Sequence, residues 1–470
     1  MKEDNLKPDA LVIGAGPGGY TTAIRLGQYG LNPVVVEAEN VGGVCLNWGC
    51  IPTKTLYSTT EPLSRVKSWA DRGIVFENSE VDLDRVSGHK QEVVEKLTGG
   101  VKKLIEAVGG EVIQGRALLT SKDEAVIKKE NGDETEIEPK AIVIATGSSP
   151  IELPGFPLAG EAVWDSRDAV GLPEVPDKLV ILGAGVVGLE MATIYRRLGS
   201  ETEVLEMADS ILPGMDLGRR FESLLGRQLK KSDITVHTGT KALKYEEDGE
   251  SYKIIGESDG EKKEYFGDKI LSAVGRRPVS ESVMNGIDLS LDDRSYVKID
   301  DRCRTSVEGV YAIGDVAGPP LLAHKAARQG MIAAAEIAGE EISDYKAIPA
   351  AVFTDPEYAE VGLSSEEAEE EGYEVAVGRF PFQASGKALA MDEAEGMVQV
   401  IVDKDSDKLL GGKILGPNAS DLIGEVGLAV ERKLTSRELA ETVHAHPTLS
   451  EAIMEAAENV HGQAIHTGNR

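Results

Sequence analysis

The chain has 470 residues, of which 41% are hydrophobic and 52 are glycine, and its formal net charge is −30 at pH 7. Its length allows two to four domains with substantial cores, and its composition is typical of a globular α/β enzyme. The negative charge argues against nucleic acid and anionic membranes as partners. Residues 1–8 are polar, and no run of about 18 apolar residues appears, so we expect a cytoplasmic protein that does not bind membranes.

The acidic residues are spread along the chain, with local clusters such as residues 364–371. One interpretation of this excess is solubility. The interpretation that we favour is adaptation to a high-salt cytoplasm, where carboxylates hold water and salt screens their mutual repulsion. The composition thus predicts a halophilic protein.

The first predicted element is a dinucleotide-binding βαβ unit at residues 9–37. An apolar strand runs into Gly14-x-Gly16-x-x-Gly19, a helix follows, and a second strand ends at Glu37. The three glycines allow a tight turn, a close approach of the backbone to a pyrophosphate and close packing of the helix. The helix N-terminus would face the phosphates, and the acid can accept a hydrogen bond from a ribose hydroxyl.

Two of the three cysteines follow, in the stretch of residues 42–54. In a regular helix the Cα atoms of Cys45 and Cys50 would lie roughly 8–9 Å apart, whereas a disulfide needs them within about 7 Å. A bridge therefore needs a distorted turn, for which Gly49 and Pro52 are suited. We hypothesise a strained, redox-active disulfide, which in a cytoplasmic protein is catalytic rather than structural. Two buried free thiols, or half of a metal site, are the alternatives.

The chain continues with a predicted helix over residues 91–108, a strand-rich segment over 111–137 and a strand over 141–148. This last strand ends in small residues, which allow close contact between the backbone and a ligand. They are Thr146, Gly147 and Ser148.

Residues 178–206 repeat the first dinucleotide-binding unit. The first glycine and the terminal acid of this repeat both lie 169 positions after their counterparts. The acid favours NAD over NADP, because a carboxylate repels the 2′-phosphate. We interpret Arg196 and Arg197 as part of a solvated helix face. A later strand ends at Gly275, and the fingerprint positions of the repeat are Gly183, Gly185, Gly188 and Glu206.

The C-terminal part of the sequence holds two further candidate sites. A short strand over residues 308–316 contains Asp315, which could bind a sugar hydroxyl or belong to an ordinary turn. From about Ile348 the pattern changes to a sheet with helices on it. Near the end, His446 precedes Glu451 by five residues, which suits a general base oriented by a carboxylate. A surface helix with an N-terminal cap explains the same spacing.

The stretch of residues 42–54 resembles the active-site signature of the class I pyridine nucleotide–disulfide oxidoreductases, and the resemblance runs from Asp9 to about Ala457. Within this family the sequence most resembles the members that oxidise dihydrolipoyl groups with NAD⁺. The features that select them are Glu206 and the motifs at residues 321–326 and 444–451. Glutathione reductase would favour NADPH, and mercuric reductase would usually carry a cysteine pair near its C-terminus.

The resemblance implies an α/β fold with two Rossmann-like dinucleotide-binding domains, one inserted in the other, plus a C-terminal α+β dimerisation domain. It also implies a homodimer in which His446 reaches the active site of the other subunit. The implied boundaries are 1–150 for the first part of the FAD-binding domain, 151–275 for the NAD-binding domain, 276–347 for the return of the FAD-binding domain, and 348–470 for the dimerisation domain.

The resemblance further implies FAD and NAD as cofactors, with no metal. His446, oriented by Glu451, would deprotonate a substrate thiol, which attacks Cys45, while Cys50 faces the flavin. The implied catalytic residues are Cys45, Cys50, His446 and Glu451. The FAD site would use Gly14, Gly16, Gly19, Glu37, Lys54, Ala117, Thr146, Gly147, Ser148, Asp315 and Ala323, with Lys54 paired to Glu190. The NAD site would use Gly183, Gly185, Gly188, Glu190, Glu206, Ala242 and Gly275.

The expected substrate is dihydrolipoamide or a protein-bound lipoyl group, and a 2-oxoacid dehydrogenase complex is one candidate source of it. A rival prediction is a related reductase of another low-molecular-weight disulfide. A third is a flavin-bearing assembly subunit, which would need neither the cysteine pair nor the histidine. Cys303 is expected to be a structural or exposed thiol with no catalytic role.

Overall fold

The computed structural model describes residues 6–76, 80–158, 160–284 and 286–468. Residues 1–5 of the polar N-terminal stretch, and residues 469–470 of the predicted C-terminal domain, lie outside the described residues. Among the helices in these ranges, none is both long and apolar enough to cross a membrane.

The secondary structure mixes helices and strands, with uninterrupted runs of strands over residues 111–164 and 234–278. The strands are β1 (Ala10–Ile13), β2 (Pro33–Glu37), β3 (Glu111–Gln114), β4 (Arg116–Leu119), β5 (Ala125–Lys128), β6 (Glu134–Ile137), β7 (Ala141–Ile144), β8 (Ser148–Pro150), β9 (Val163–Trp164), β10 (Lys178–Leu182), β11 (Glu201–Leu205), β12 (Ile234–His237), β13 (Thr240–Asp248), β14 (Ser251–Ser258), β15 (Glu261–Gly267), β16 (Lys269–Ser272), β17 (Arg276–Pro278), β18 (Val310–Ala312), β19 (Ala350–Val352), β20 (Glu357–Gly362), β21 (Val375–Pro381), β22 (Met397–Asp403) and β23 (Leu409–Gly416).

The α-helices are α1 (Pro17–Gln28), α2 (Gly43–Trp48), α3 (Cys50–Asp71), α4 (Leu83–Ala107), α5 (Ser166–Gly171), α6 (Val186–Leu198), α7 (Gly218–Lys231), α8 (Ala323–Ala338), α9 (Ser365–Glu370), α10 (Gly386–Met391), α11 (Ala419–Arg432), α12 (Ser436–Glu441) and α13 (Glu451–Val460). Short 3₁₀ helices span Glu281–Val283, Gly314–Ala317 and Phe382–Ala384. The predicted helix over 91–108 begins earlier, because Asp82 caps it by accepting a hydrogen bond of 3.0 Å from the Arg85 N–H.

Two five-stranded parallel sheets carry the two fingerprints. The first has the order β18-β7-β1-β2-β3, and the second has the order β12-β11-β10-β16-β9. Every residue of β1, β2 and β7 is buried. Helices α1, α4 and α8 cover one face of this sheet, and the three-stranded sheet β4-β5-β6 covers the other. Strand β18 pairs with β7, so the chain returns to the first sheet only after it has built the second.

The C-terminal part forms an antiparallel sheet with the order β19-β20-β23-β22-β21. Helices α11 and α13 pack on this sheet and share a separate hydrophobic core with it. The sheet with helices on it that was predicted from about Ile348 is present. The predicted fold class, two Rossmann-like units followed by an α+β unit, is confirmed.

Candidate active site

A helix break separates the two cysteines of the candidate redox pair. Cys45 lies on α2, and Cys50 is the first residue of α3. Gly49 lies between the two helices with φ −129° and ψ −115°. A Cβ atom at this position would lie 2.9 Å from the carbonyl oxygen of Val44, so a larger residue would push against the backbone. The predicted distortion is therefore present, and it brings the two side chains together.

The two thiols have opposite electrostatic characters. A hydrogen bond from the Cys45 thiol lowers the pKa of Cys50 to about 7, with help from the nearby Lys54 ammonium and against the effect of burial. The same hydrogen bond, together with burial, raises the pKa of Cys45. The structure contains both residues as free thiols. As pH rises through about 7, Cys50 is consequently the thiol that ionises first, and Cys45 is the proton donor of the pair.

The cysteine stretch is anchored on the first glycine-rich loop. The Gly42 N–H donates a hydrogen bond of 2.8 Å to the carbonyl oxygen of Ala15. Gly43 has φ +57°, and a Cβ atom there would lie 2.7 Å from the Cα atom of Gly16. Because Gly43 and Gly16 both lack a side chain, helix α2, which carries Cys45, can start in direct contact with the first glycine-rich loop.

The first glycine-rich loop has the shape that a dinucleotide requires. Gly14 has φ +103°, and a Cβ atom there would lie 2.4 Å from the Ala145 carbonyl oxygen. A Cβ atom on Gly19 would lie 1.8 Å from the carbonyl oxygen of Gly14. At Gly16, in contrast, the nearest heavy atom outside the loop would lie 4.0 Å away. The middle of the loop is therefore open to a phosphate, and the residues fit bound FAD.

The second loop repeats this geometry. Gly183 has φ +101°, and its Cβ atom would lie 2.6 Å from the Ala273 carbonyl oxygen, while a Cβ atom on Gly188 would lie 2.0 Å from the carbonyl oxygen of Gly183. A Cβ atom on Gly185, in contrast, would meet no heavy atom within 4 Å. The residues of this loop fit a second dinucleotide, NAD, in the same manner.

The acids at the ends of β2 and just after β11 hold the two loops by equivalent hydrogen bonds. Glu37 accepts a bond of 2.7 Å from the Ala15 N–H, and Glu206 accepts one of 2.7 Å from the Ala184 N–H. Both carboxylates are buried. Each also accepts a second backbone N–H, from Glu39 and from Ala208 respectively. Because a carboxylate offers about four acceptor positions, capacity remains for ribose hydroxyls.

Lys54 and Glu190 form the predicted pair between α3 and α6. The Lys54 ammonium lies 2.9 and 2.8 Å from the two carboxylate oxygens of Glu190. The Glu190 side chain is almost fully buried, and it also accepts a hydrogen bond of 3.1 Å from the Phe353 N–H. Phe353 was not among the predicted residues, because nothing in its local sequence indicates this contact.

A polar cluster links the small residues after β7 to the Gly314-Asp315 turn. Ser148 donates a hydrogen bond of 2.6 Å to Asp315, and Arg276 donates one of 2.7 Å to the Ser148 hydroxyl and one of 2.6 Å to its carbonyl oxygen. Thr146 donates to the Val279 carbonyl oxygen at 2.5 Å. Burial lowers the pKa of Arg276. This arginine was missed, since one arginine after a strand forms no motif.

The other predicted cofactor residues lie on elements around the two loops. Ala117 is buried on β4, and Ala323 is the first residue of α8. Ala242 lies on β13 at a β-bulge, two residues after Thr240, whose N–H donates to the Glu206 carbonyl oxygen at 2.7 Å. Gly147 and Gly275 have positive φ. A Cβ atom on Gly147 would meet no heavy atom within 4 Å, and one on Gly275 would lie 3.5 Å from the Cδ1 atom of Ile151.

The C-terminal histidine motif places one ring in a fixed orientation. His446 Nδ1 lies 2.8 Å from Glu451, which also accepts a hydrogen bond of 2.8 Å from the Thr448 N–H at the start of α13. These bonds outweigh partial burial and lower the pKa of Glu451. The oriented histidine is therefore present. The alternative of a capped surface helix is wrong, because Ser450 makes no side-chain cap hydrogen bond within the described part of the chain and α13 buries one face against the sheet.

His446 is the freer of the two histidines in this motif. Both ring nitrogens of His444 are engaged, by Thr442 at 2.8 Å and by Glu425 at 2.7 Å. The His446 side chain is 80% exposed, and its Nε2 has no hydrogen-bond partner within the described ranges. Within one chain, its polar contact is to Glu451 and not to the cysteine pair.

The predicted solvated face on α6 is wrong for Arg197. This side chain is 5% exposed and lies between Tyr57 of α3 and Asp355 of the C-terminal part. Its neighbour Arg196 is partly exposed and pairs with Asp233 at 2.8 Å. The two arginines differ in burial because consecutive residues lie about 100° apart around the helix axis and therefore point in different directions.

Two family models match most of the chain. The model of the pyridine nucleotide-disulphide oxidoreductases matches residues 8–330, and the model of their dimerisation domain matches residues 348–457. The chain belongs to the pyridine nucleotide-disulphide oxidoreductases. Membership confirms the predicted flavoprotein disulfide oxidoreductase with FAD and NAD as cofactors, and it assigns the C-terminal part to dimerisation.

Curated relatives in this family match along their whole length. The dihydrolipoyl dehydrogenase of Haloferax volcanii is 44% identical over 98% of both chains. That of Thermus scotoductus is 45% identical over 98% of this chain and 99% of its own, and that of Bacillus subtilis is 43% identical over 98% of both. The relatives fit the dihydrolipoyl prediction and not the rival disulfide reductase. Relatives from halophilic archaea also support the predicted halophilic character.

Solved structures share the fold over nearly the full chain. LpdA from Mycobacterium tuberculosis is 26% identical, has a TM-score of 0.87 and covers 96% of this chain and 99% of its own. The HOCl-induced flavoprotein disulfide reductase RclA from Escherichia coli is 25% identical, has a TM-score of 0.83 and covers 95% of this chain and 98% of its own.

Proposed function

We propose that this protein oxidises dihydrolipoyl groups to lipoyl groups with NAD⁺ as the final electron acceptor. The observation that carries the proposal is the asymmetric thiol pair beside the first dinucleotide-binding loop. One thiol donates a hydrogen bond, and the other ionises first as pH rises through about 7. This arrangement suits an exchange in which each cysteine has its own partner.

The oxidised pair, a Cys45–Cys50 disulfide, is the oxidant in the first half of the reaction. His446 accepts the proton of one substrate thiol, and the resulting thiolate attacks Cys45. The Cys45–Cys50 bond breaks, Cys50 leaves as a thiolate, and a substrate–Cys45 disulfide forms. The second substrate thiol then attacks the first substrate sulfur and displaces Cys45, and its proton passes to the displaced Cys45 sulfur. The substrate leaves as a cyclic disulfide, and the pair is reduced by two electrons.

Residues of the two loops hold the cofactors that reoxidise the pair. The first loop with Glu37, Ser148 and Asp315 would hold FAD, and the second loop with Glu206 would hold NAD. Bound FAD and NAD⁺ supply the redox chemistry that removes two electrons from the reduced pair. Lys54, fixed by Glu190, keeps a positive charge beside the Cys50 thiolate and favours this charged form.

The catalytic site is shared between two subunits of a homodimer. His446 is exposed in the single chain and oriented by Glu451, so its free Nε2 can serve the cysteine pair of the partner. The substrate is free dihydrolipoamide or a lipoyl group carried by a 2-oxoacid dehydrogenase complex. The location that suits this partner and the reducible pair is the cytoplasm.

Turnover of purified, FAD-loaded protein tests the proposal. Dihydrolipoamide with NAD⁺ should yield NADH, and Cys45→Ser should abolish this turnover while FAD stays bound. Cys303→Ser is the matched control, because this third cysteine is buried and its thiol donates a hydrogen bond to the Gln329 carbonyl oxygen. Turnover only with NADPH and a different disulfide, or unchanged activity of Cys45→Ser, would refute the proposal. Running the assay over a range of KCl concentrations also tests the salt adaptation.

A further inference from the structure

One face of α3 and one face of α6 meet along a seam that starts at the cysteine pair. On α3, Lys54 and Tyr57 follow Cys50 by four and seven residues, so the three side chains share a face. On α6, Glu190 and Arg197 are seven residues apart and share a face in the same way. The seam therefore carries the Lys54–Glu190 contact near the thiols. The Tyr57–Arg197 contact follows about one turn further along α3 and about two turns further along α6.

Arg197 is held rigidly in this seam. It donates a hydrogen bond of 3.1 Å to the Tyr57 carbonyl oxygen and one of 2.8 Å to the Asp355 carboxylate. Its guanidinium carbon lies 4.4 Å from the centroid of the Tyr57 ring. A planar guanidinium that donates two hydrogen bonds and stacks on a ring has a geometry that a lysine cannot reproduce.

Three consecutive residues of the C-terminal part, residues 353–355, cross the seam, and we call them the strap. The Phe353 N–H donates to Glu190 at 3.1 Å, and the carbonyl oxygen of Thr354 accepts a hydrogen bond of 2.8 Å from the Tyr57 hydroxyl. Asp355 accepts the bond from Arg197. The Lys54 ammonium also lies 4.6 Å from the centroid of the Phe353 ring. The strap thus touches both contacts of the seam.

We propose that Arg197 is a positioning residue, which fixes the strap against α3 and α6 and thereby holds the Lys54 ammonium beside the cysteine pair. The inference rests on the proposed function only in taking this pair as the redox centre. Arg197 itself contacts neither thiol. Without it, Asp355 loses its ion pair and keeps the hydrogen bond of 3.3 Å from Ser64. The Phe353–Glu190 contact is then held less firmly. Lys54 then stabilises the Cys50 thiolate less.

The pH dependence of thiol alkylation in the reduced, FAD-loaded protein tests this inference. The reaction of the pair with iodoacetamide is followed over pH and located by peptide mass spectrometry. We expect Arg197→Gln to move the midpoint upward by roughly half a pH unit. Arg196→Gln is the matched control, because this neighbouring arginine points to Asp233 and should leave the midpoint in place.

A second comparison separates positioning from a general loss of stability. In a Glu190→Gln background, Arg197→Gln should cause no further shift, since the pair through which it acts is already broken. An undiminished shift in that background, or an unshifted midpoint in a folded but less stable Arg197→Gln protein, would overturn the inference. If Arg197→Gln does not fold, Asp355→Asn must show the upward shift instead, and an unchanged midpoint in that variant would equally overturn it. The alkylation midpoint can be measured even if the protein does not turn over dihydrolipoyl groups, so failure of the proposed function and failure of this inference are distinguishable.

Discussion

At the scale of single residues, the cysteine pair has a defined pH response. The hydrogen bond from Cys45 lowers the pKa of Cys50 to about 7, whereas an unperturbed thiol titrates near about 8.5. Because the thiolate is the reactive form, alkylation of the reduced pair should accelerate as pH rises through about 7. Iodoacetamide kinetics between acid and mildly alkaline pH measure this midpoint.

One variant and one internal control check the cause of this response. Cys45→Ser removes the thiol donor and replaces it with a weaker acid, so the midpoint for Cys50 should rise. Cys303 should stay unreactive over the same range, because burial raises its pKa to about 12. A midpoint that is the same with and without Cys45 would contradict the proton-sharing pair.

The two equivalent glutamates should affect different cofactors. Glu206→Gln retains one oxygen acceptor but loses the second bond to a backbone N–H, which costs about 1–3 kcal/mol at a buried site. We expect a KM for NAD⁺ that is about tenfold higher, with unchanged FAD content. Glu37→Gln should instead lower the FAD content of the purified protein. Steady-state kinetics and flavin absorbance distinguish the two, and a loss of FAD from Glu206→Gln would show that the assignment is reversed.

The residues of the site differ in how far the sequence could predict them. Lys54, Glu37 and Glu206 lie in motifs with fixed spacing, so their places could be read directly. Arg197 could not, because its burial depends on Tyr57 and Asp355, which are distant in sequence. The contact of Phe353 with Glu190 joins residues 163 positions apart and leaves no local pattern.

At the scale of elements, the start of α2 on the first glycine-rich loop is the tightest crossing near the site. Gly43→Ala would place a side chain 2.7 Å from the Gly16 Cα atom at a positive φ. We expect a free energy of unfolding lower by about 1–3 kcal/mol and reduced FAD retention. Thermal unfolding and flavin content measure both effects.

A glycine on an exposed helix provides the control for this substitution. Gly99 lies on α4, and a Cβ atom there meets no heavy atom within 4 Å. Gly99→Ala should therefore stabilise the protein by about 0.5–1 kcal/mol through helix propensity. Equal unfolding free energies and equal flavin contents of Gly43→Ala and Gly99→Ala would argue against the Gly43–Gly16 contact as a constraint on the fold.

The elements themselves were predicted well where patterns are strong. The buried strands β1, β7 and β10 are continuous apolar runs, and the glycine spacing identifies the turns that follow two of them. Helix α4 begins before the predicted residue 91, at Leu83, because its first turns are largely exposed and lack apolar periodicity. The β8–β17 ribbon was not predicted, since its three-residue strands pair across more than a hundred positions.

At the scale of the whole molecule, a shared active site predicts complementation between two inactive variants. A homodimer of Cys45→Ser or of His446→Gln has two defective sites. A hybrid dimer has one site with both defects and one site with neither, because the intact cysteine and the intact histidine come from different chains. Mixing the two variants under conditions of subunit exchange should therefore restore turnover.

The result depends only on which chain supplies each residue. Activity that stays at the level of the unmixed variants, with exchange verified by a tag on one of them, would place both residues of each site on one chain. A mixture of Cys45→Ser with Cys50→Ser is the matched control, because these residues lie on the same side of the interface and should not complement each other.

The return of β18 to the first sheet also orders the biosynthesis of the protein. The second sheet has all its strands once residue 272 has left the ribosome, but the first sheet lacks β18 until residue 312 has followed. Nascent domains usually mature from the N-terminus onward. Here the inserted sheet is complete before the sheet that surrounds it. In the interval the growing chain carries an unpaired strand edge at β7, the kind of edge that chaperones shield.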